Sequence, residues 1–167
     1  MAAALTMTGE LDPRDGWEAT RCPVAGALDV VGNRSTLLVL REAFYGATKF
    51  DEFVRRSGIS EPITAARLKE LVAAGLMERR TYREAGQRTR MDYHLTDMGV
   101  DLFPAIAALF QWGNRWLDPA GAAFEHHACG AEVHTELRCS AGHQVEVADI
   151  DLVARPRTAR SPGPAAG

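Results

Sequence analysis

The sequence predicts a mainly α-helical fold carrying a small β-ribbon, and three observations support that prediction. Between Pro23 and Val72, apolar residues recur at helical spacing in short segments, each stopped by glycine or a Ser-Gly pair. The period then changes, and residues 76–84 and 90–95 read as two strands around the turn Ala85-Gly-Gln-Arg-Thr89. Helical spacing returns with Leu102, Phe103, Ile106, Leu109, Phe110, Trp112, Trp116 and Leu117, an apolar surface broader than one small domain needs.

Each element can be justified in order. Residues 1–16 are small, polar and acidic, without periodicity, and predict a mobile arm. Pro23 suits the first turn of a helix that carries Val24, Ala27, Leu28 and Val31 and stops at Gly32. Asn33 or Ser35 can cap the next helix, which runs to Gly46. A third helix fits residues 49–56, with Phe50 and Phe53 inward and Ser57-Gly58 as its end. A fourth opens at Ser60, has Pro62 in its first turn, and is expected to bury Ile63, Ala66, Leu68, Leu71 and Val72 before Gly75. After the ribbon, Thr96 and Asp97 are expected to cap one long fifth helix, closed by Asp118-Pro119. Residues 126–150 predict a small hairpin with two cysteines and several histidines, and from 154 the Pro, Arg, Ser, Gly and Ala composition predicts disorder. The expected organisation is an arm (1–16), a main domain (17–118), a Cys/His appendage (119–153) and a tail (154–167).

Bulk properties narrow the functional classes. A length of 167 residues suits one domain with a small appendage, and 46% hydrophobic content can fill a core. No apolar run is long enough to span a bilayer, and the N-terminus lacks the charged and apolar regions of a secretory signal. Three scattered cysteines, Cys22, Cys129 and Cys139, make no disulfide scaffold, so the cytoplasm is the expected location. The net charge is −3, yet residues 34–95 carry twelve Arg and Lys against eight Asp and Glu, a local charge of +4. Phosphate attraction depends on such a patch and not on the total.

Two short helices joined by Ser57-Gly58-Ile59 and followed at once by a basic ribbon form the pattern of a winged helix-turn-helix. In that arrangement Ile59 plugs the core and the second helix presents its first residues outward: Ser60, Glu61, Pro62, Thr64, Ala65 and Arg67. Arg67 suits a bidentate guanine contact, and Thr64 or Ala65 suits a thymine methyl. Arg80, Arg83, Arg88 and Arg90 on the ribbon suit phosphates or a minor groove, which gives affinity and register.

In Cys22-Pro-Val-Ala-Gly-Ala-Leu-Asp-Val-Val-Gly32, Thr36-Leu-Leu-Val-Leu-Arg-Glu42, Lys49-Phe-Asp-Glu-Phe53, Gly58-Ile-Ser60, Arg67-Leu-Lys-Glu-Leu71, Gly75-Leu-Met-Glu-Arg79 and Tyr93-His-Leu-Thr-Asp-Met-Gly99, the chain resembles the HxlR-type, MarR-like winged helix-turn-helix regulators of bacteria. The resemblance covers about residues 20–117 in order. It implies a homodimer joined through the N- and C-terminal helices, with two recognition helices reading an inverted repeat in double-stranded DNA. Ser35 stands where the family usually has tryptophan, and Ala85-Gly-Gln-Arg-Thr89 replaces its usual proline-containing wing turn.

The resemblance also implies a sensing role for Cys22, since several members sense oxidants or electrophiles through the aligned cysteine. Independently, a thiol at a helix N-terminus is biased toward thiolate. A small, buried, inert side chain is the competing reading of Cys22. Other members answer to small molecules, and Phe103, Phe110, Trp112 and Trp116 are the candidate effector pocket, or else core or dimer interface. In the tail, His127, Cys129, Cys139 and His143 are a candidate tetrahedral zinc set, although the spacing is that of an eroded zinc ribbon. A Cys129–Cys139 disulfide or two plain thiols are the alternatives.

The expected function is a dimeric, sequence-specific transcriptional regulator, with repression as the expected sense and a small molecule or redox change as its signal. The rival is a winged-helix protein–protein module that reads no DNA. No paired carboxylates, nucleophile elbow or phosphate loop supports an enzyme.

Overall fold

A computed structural model describes residues 4–9, 22–82, 90–117 and 121–154. The elements run β1 (Thr6–Thr8), α1 (Pro23–Val31), α2 (Arg34–Phe44), α3 (Phe50–Ser57), α4 (Glu61–Ala73), β2 (Met77–Tyr82), β3 (Arg90–Leu95), α5 (Asp97–Val100), α6 (Phe103–Trp116), a 3₁₀ turn (Val147–Asp149) and β4 (Asp151–Val153). They divide into a larger unit, Pro23–Thr135, and a smaller one built from both ends of the chain.

In the larger unit, α2, α3 and α4 close around Val39, Leu40, Phe53, Ile59, Leu68 and Leu71, joined by Leu76 and Met77 at the root of the ribbon. The helix boundaries follow local chemistry. Asn33 caps α2, its Oδ1 accepting from Ser35 N at 2.8 Å, so Asn33 and not Ser35 is the cap. Glu52 Oε2 accepts the backbone N–H groups of Thr48 (3.0 Å) and Lys49 (3.2 Å) at the start of α3. Those two donors hold the Glu52 carboxyl below its ordinary pKa. Gly58 ends α3 at φ 68°, a conformation that a Cβ would strain, and Ile59 enters the core as expected.

The ribbon pairs β2 with β3 antiparallel, from Met77↔Leu95 to Tyr82↔Arg90. A further bridge, Lys49↔Asp92, and a bond from Tyr93 N to Thr48 O at 2.8 Å attach β3 to the residues before α3. Thr96 pins the base of the ribbon. Its hydroxyl donates to Gly75 O at 2.6 Å and accepts from Gly99 N at 3.2 Å, while its own N–H reaches Leu76 O at 3.0 Å. The backbone passes so close here that a Cβ on Gly99 would lie 2.2 Å from Leu76 O.

The expected single fifth helix is two: α5 has one turn, and α6 starts afresh with Pro104 in its first turn. Proline has no N–H to donate to the carbonyl one turn before it, which accounts for the break. Phe124, from the segment after α6, lies between Phe103 (centroids 5.4 Å) and Phe110 (4.5 Å), and Phe103 in turn meets Phe44 of α2 (5.1 Å). Gln111 holds the same segment by its backbone, donating to Val133 O (2.6 Å) and accepting from Thr135 N (2.8 Å).

Instead of one Cys/His hairpin there are two tight turns, closed by the bridges Glu125↔Glu132 and Arg138↔Gln144, one in each unit. In the smaller unit β1 and β4 pair in parallel, Thr6↔Asp151 through Thr8↔Val153. Residues 6–8 of the expected arm are therefore a strand. The expected tail beyond 154, the wing turn 85–89, and Arg83 and Arg88 lie outside the described residues.

Candidate nucleic-acid interface

α4 is anchored by one face and presents the other. Thr64, Leu68 and Leu71, at helical spacing, are buried. Ser60, Glu61, Pro62, Ile63 and Ala65 are exposed, and Ala66 is half-buried. Two expectations are corrected. Thr64 is 0% exposed and its hydroxyl donates to Ile59 O at 3.4 Å, so it ties the turn to the helix and meets no base. Ile63, expected in the core, is 45% exposed. The helix phase explains both: with Leu68 and Leu71 inward, residue 64 falls on their face and residue 63 does not.

Arg67 is less free than expected. Its Nη1 donates to Glu70 Oε2 at 2.6 Å, its side chain is 25% exposed, and its Nε is buried without a partner. Ser60 occupies the N-cap position, but its hydroxyl does not cap the helix. Exposed cations stand on α4 and on its neighbours in the core: Lys69 on α4, Arg55 and Arg56 at the end of α3, and Arg79 and Arg80 on β2. Arg80 is ion-paired with Glu78 at 2.6 Å, and Arg79 lies over the Tyr93 ring, 5.7 Å from its centroid. Arg90 opens β3. Phe53 meets Tyr93 edge-on at 6.1 Å, so the ribbon is fixed to the helical core beside α4.

An exposed helix start beside a basic ribbon, both rooted in one core, is the geometry of a winged helix-turn-helix. The model of the HxlR-like helix-turn-helix family matches residues 30–121. This chain belongs to that family. It is a family of transcriptional regulators, not of enzymes. The HTH-type transcriptional regulator Rv3095 of Mycobacterium tuberculosis is 42% identical over 120 residues, covering 70% of this chain and 75% of that one. Among solved structures, PA1607, a candidate transcription factor, is 32% identical with TM-score 0.70 and covers 86% of this chain and 97% of its own. The oxidised redox regulator HypR is 30% identical with TM-score 0.53, covering 58% of this chain and 99% of its own. Among the described residues, no helix is long and apolar enough to cross a membrane.

The other expected sites are placed as follows. Cys22 directly precedes α1 and is half-buried. Of the aromatic stripe on α6, Phe103 and Phe110 are covered by Phe124, whereas Trp112 (55%) and Trp116 (63%) are exposed. A cleft of about 410 Å³ opens beside α6, lined by Phe110, Gln111, Asn114, Arg115, Phe124 and His134 among others. Phe103, Trp112 and Trp116 are not among its lining residues, so the pocket proposed from sequence shares only Phe110 with it. Phe124 and His134 were missed because they sit in a segment without periodicity. Among the described residues, no three His, Cys, Asp or Glu side chains converge as a metal ion requires. His127 and Cys129 belong to the larger unit, Cys139 and His143 to the smaller. His126, rather than His127, approaches Cys129, with Nδ1 3.2 Å from Sγ.

Proposed function

We propose that this protein is a dimeric, sequence-specific repressor that works in the cytoplasm and releases its operator on a chemical signal. The observation that carries DNA reading is the exposed start of α4 beside the cationic ribbon. Ser60, Glu61, Pro62, Ala65 and Arg67 face the major groove, and Arg80, Arg83, Arg88 and Arg90 hold the phosphates on either side.

Dimerisation is supported by apolar surface that the protomer leaves uncovered. α1 is largely apolar yet contains no buried residue, and Val24 and Leu28 are exposed on it. α6 adds Leu109, Trp112 and Trp116, with Leu117 just beyond its end, all exposed. Exposed tryptophans next to aliphatic side chains are what interface cores are made from. Pairing two copies through α1 and α6 places two α4 helices on a two-fold axis, to read an inverted repeat.

Two routes for the signal act on these same elements. A small molecule in the cleft would bridge α6 and the segment around Phe124. Oxidation of Cys22 would alter the start of α1, a reading supported by the similarity to the redox regulator HypR. The test is recovery of bound genomic DNA, repeated with oxidant and with Cys22→Ser, alongside sedimentation of the free protein. A palindromic site bound by a dimer is the expected result. A monomer with no sequence preference overturns the proposal.

A further inference from the structure

We infer that α4 reads its operator mainly through the 5-methyl groups of thymine, with Ile63 as the principal contact. The inference rests on the DNA-reading role proposed above and specifies what that role recognises.

The surface available for base contacts is poor in hydrogen-bonding groups. Pro62, Ile63, Ala65 and Ala66 supply no side-chain donor or acceptor, and they adjoin one another at i, i+3 and i, i+4 spacing. The two polar residues that sequence favoured are committed elsewhere: Thr64 is buried on Ile59 O, and Arg67 is tied to Glu70. Ser60 and Glu61 remain, at the very end of the helix.

Ile63 itself calls for an apolar partner. Of the other large aliphatic side chains of α4, Leu68 and Leu71 are buried in the core and Val72 packs against it, whereas Ile63 is 45% exposed. In the major groove the thymine methyl is the one apolar feature of the base edges, and it distinguishes T·A at its position. A branched side chain set against an amino group or carbonyl oxygen would instead strip water from it without replacing the hydrogen bond. The surroundings fit a duplex better than an apolar protein partner, because Lys69 is exposed one turn further along α4 from Ala65 and Ala66.

The test uses full-length protein and duplexes selected from a random-sequence pool. Each thymine of the selected half-site is replaced in turn by deoxyuridine, which removes only the methyl group. At the contacted position the expected loss is about fourfold for one half-site, and roughly fifteenfold when both halves are changed, from the burial of one methyl group. Ile63→Ala is expected to bind the thymine and deoxyuridine duplexes equally. Ile63 is exposed, so that variant keeps the core, and the deoxyuridine series with the unaltered protein stands on its own. Sequence-specific binding that is indifferent to deoxyuridine at every position overturns this inference and leaves the DNA-reading role intact. No sequence preference in the selection overturns the role itself, and the inference with it.

Discussion

α4 and α1 are both short helices rich in apolar residues, but the protomer treats them differently. α4 sends Thr64, Leu68 and Leu71 into a core shared with Val39, Leu40 and Phe53, and leaves Pro62, Ile63 and Ala65 outside. α1 has no fully buried residue, only Val31 resting partly buried against that core, and α6, longer than either, fully buries only Ile106 and Ala107. The helix-turn-helix therefore has a core of its own, whereas α1 and α6 leave large apolar side chains exposed. On the proposed dimer, stability and assembly rest on separate elements, and substitutions can be sorted by which of the two they damage.

The largest effect should come from the side with its own core. Phe53→Ala or Leu68→Ala removes a fully buried side chain, and a loss of about 3–5 kcal/mol is expected in denaturant unfolding. Gly99→Ala should follow at about 1–3 kcal/mol, since the added Cβ must push Leu76 O away from the root of the ribbon. Trp112→Ala with Trp116→Ala should invert the pattern. Dimer dissociation measured by sedimentation should become easier by about 2 kcal/mol or more, with little change in how a protomer unfolds at high dilution. If those two substitutions unfold the protomer instead, the division between the two sides fails.

Smaller effects sharpen the picture. Arg80→Ala should weaken DNA binding about equally across sequences and lower the salt slope by about one per protomer, as the proposed phosphate contact requires. Glu52 gives a pH signature. Its folded pKa is depressed by the Thr48 and Lys49 N–H groups, so it stabilises the fold above the unfolded carboxylate value of about 4.3. That contribution is lost as pH falls through the lower, folded value. Glu52→Gln should therefore lower the neutral plateau of a stability–pH profile and flatten its acid limb, and an unchanged acid limb would remove the capping role.

Much of the frame was legible because it is carried by local signals. Gly58, Pro62 and Gly75 mark the turn and the limits of α4, and the change of period after Gly75 marks the ribbon. What escaped depends on phase or on distance along the chain. Apolar residues lie all round α4, so spacing alone could not show that Thr64 turns inward and Ile63 outward; only contact with Leu68 and Leu71 decides it. The strand at Thr6–Thr8 was missed because its partner, Asp151–Val153, lies at the other end of the sequence. Phe124 stands alone in an irregular stretch, where nothing announces that it packs against Phe103 and Phe110. Pro104 was a readable signal, and the continuous apolar stripe around it masked the break.

The Thr96 hydroxyl joins the last carbonyl turn after α4 to the opening of α5, with the ribbon between them. The end of α4 and the root of the ribbon are thereby tied together. On the proposed reading, a tilt of α4 should carry the root of the ribbon with it, so the two are expected to leave a duplex together.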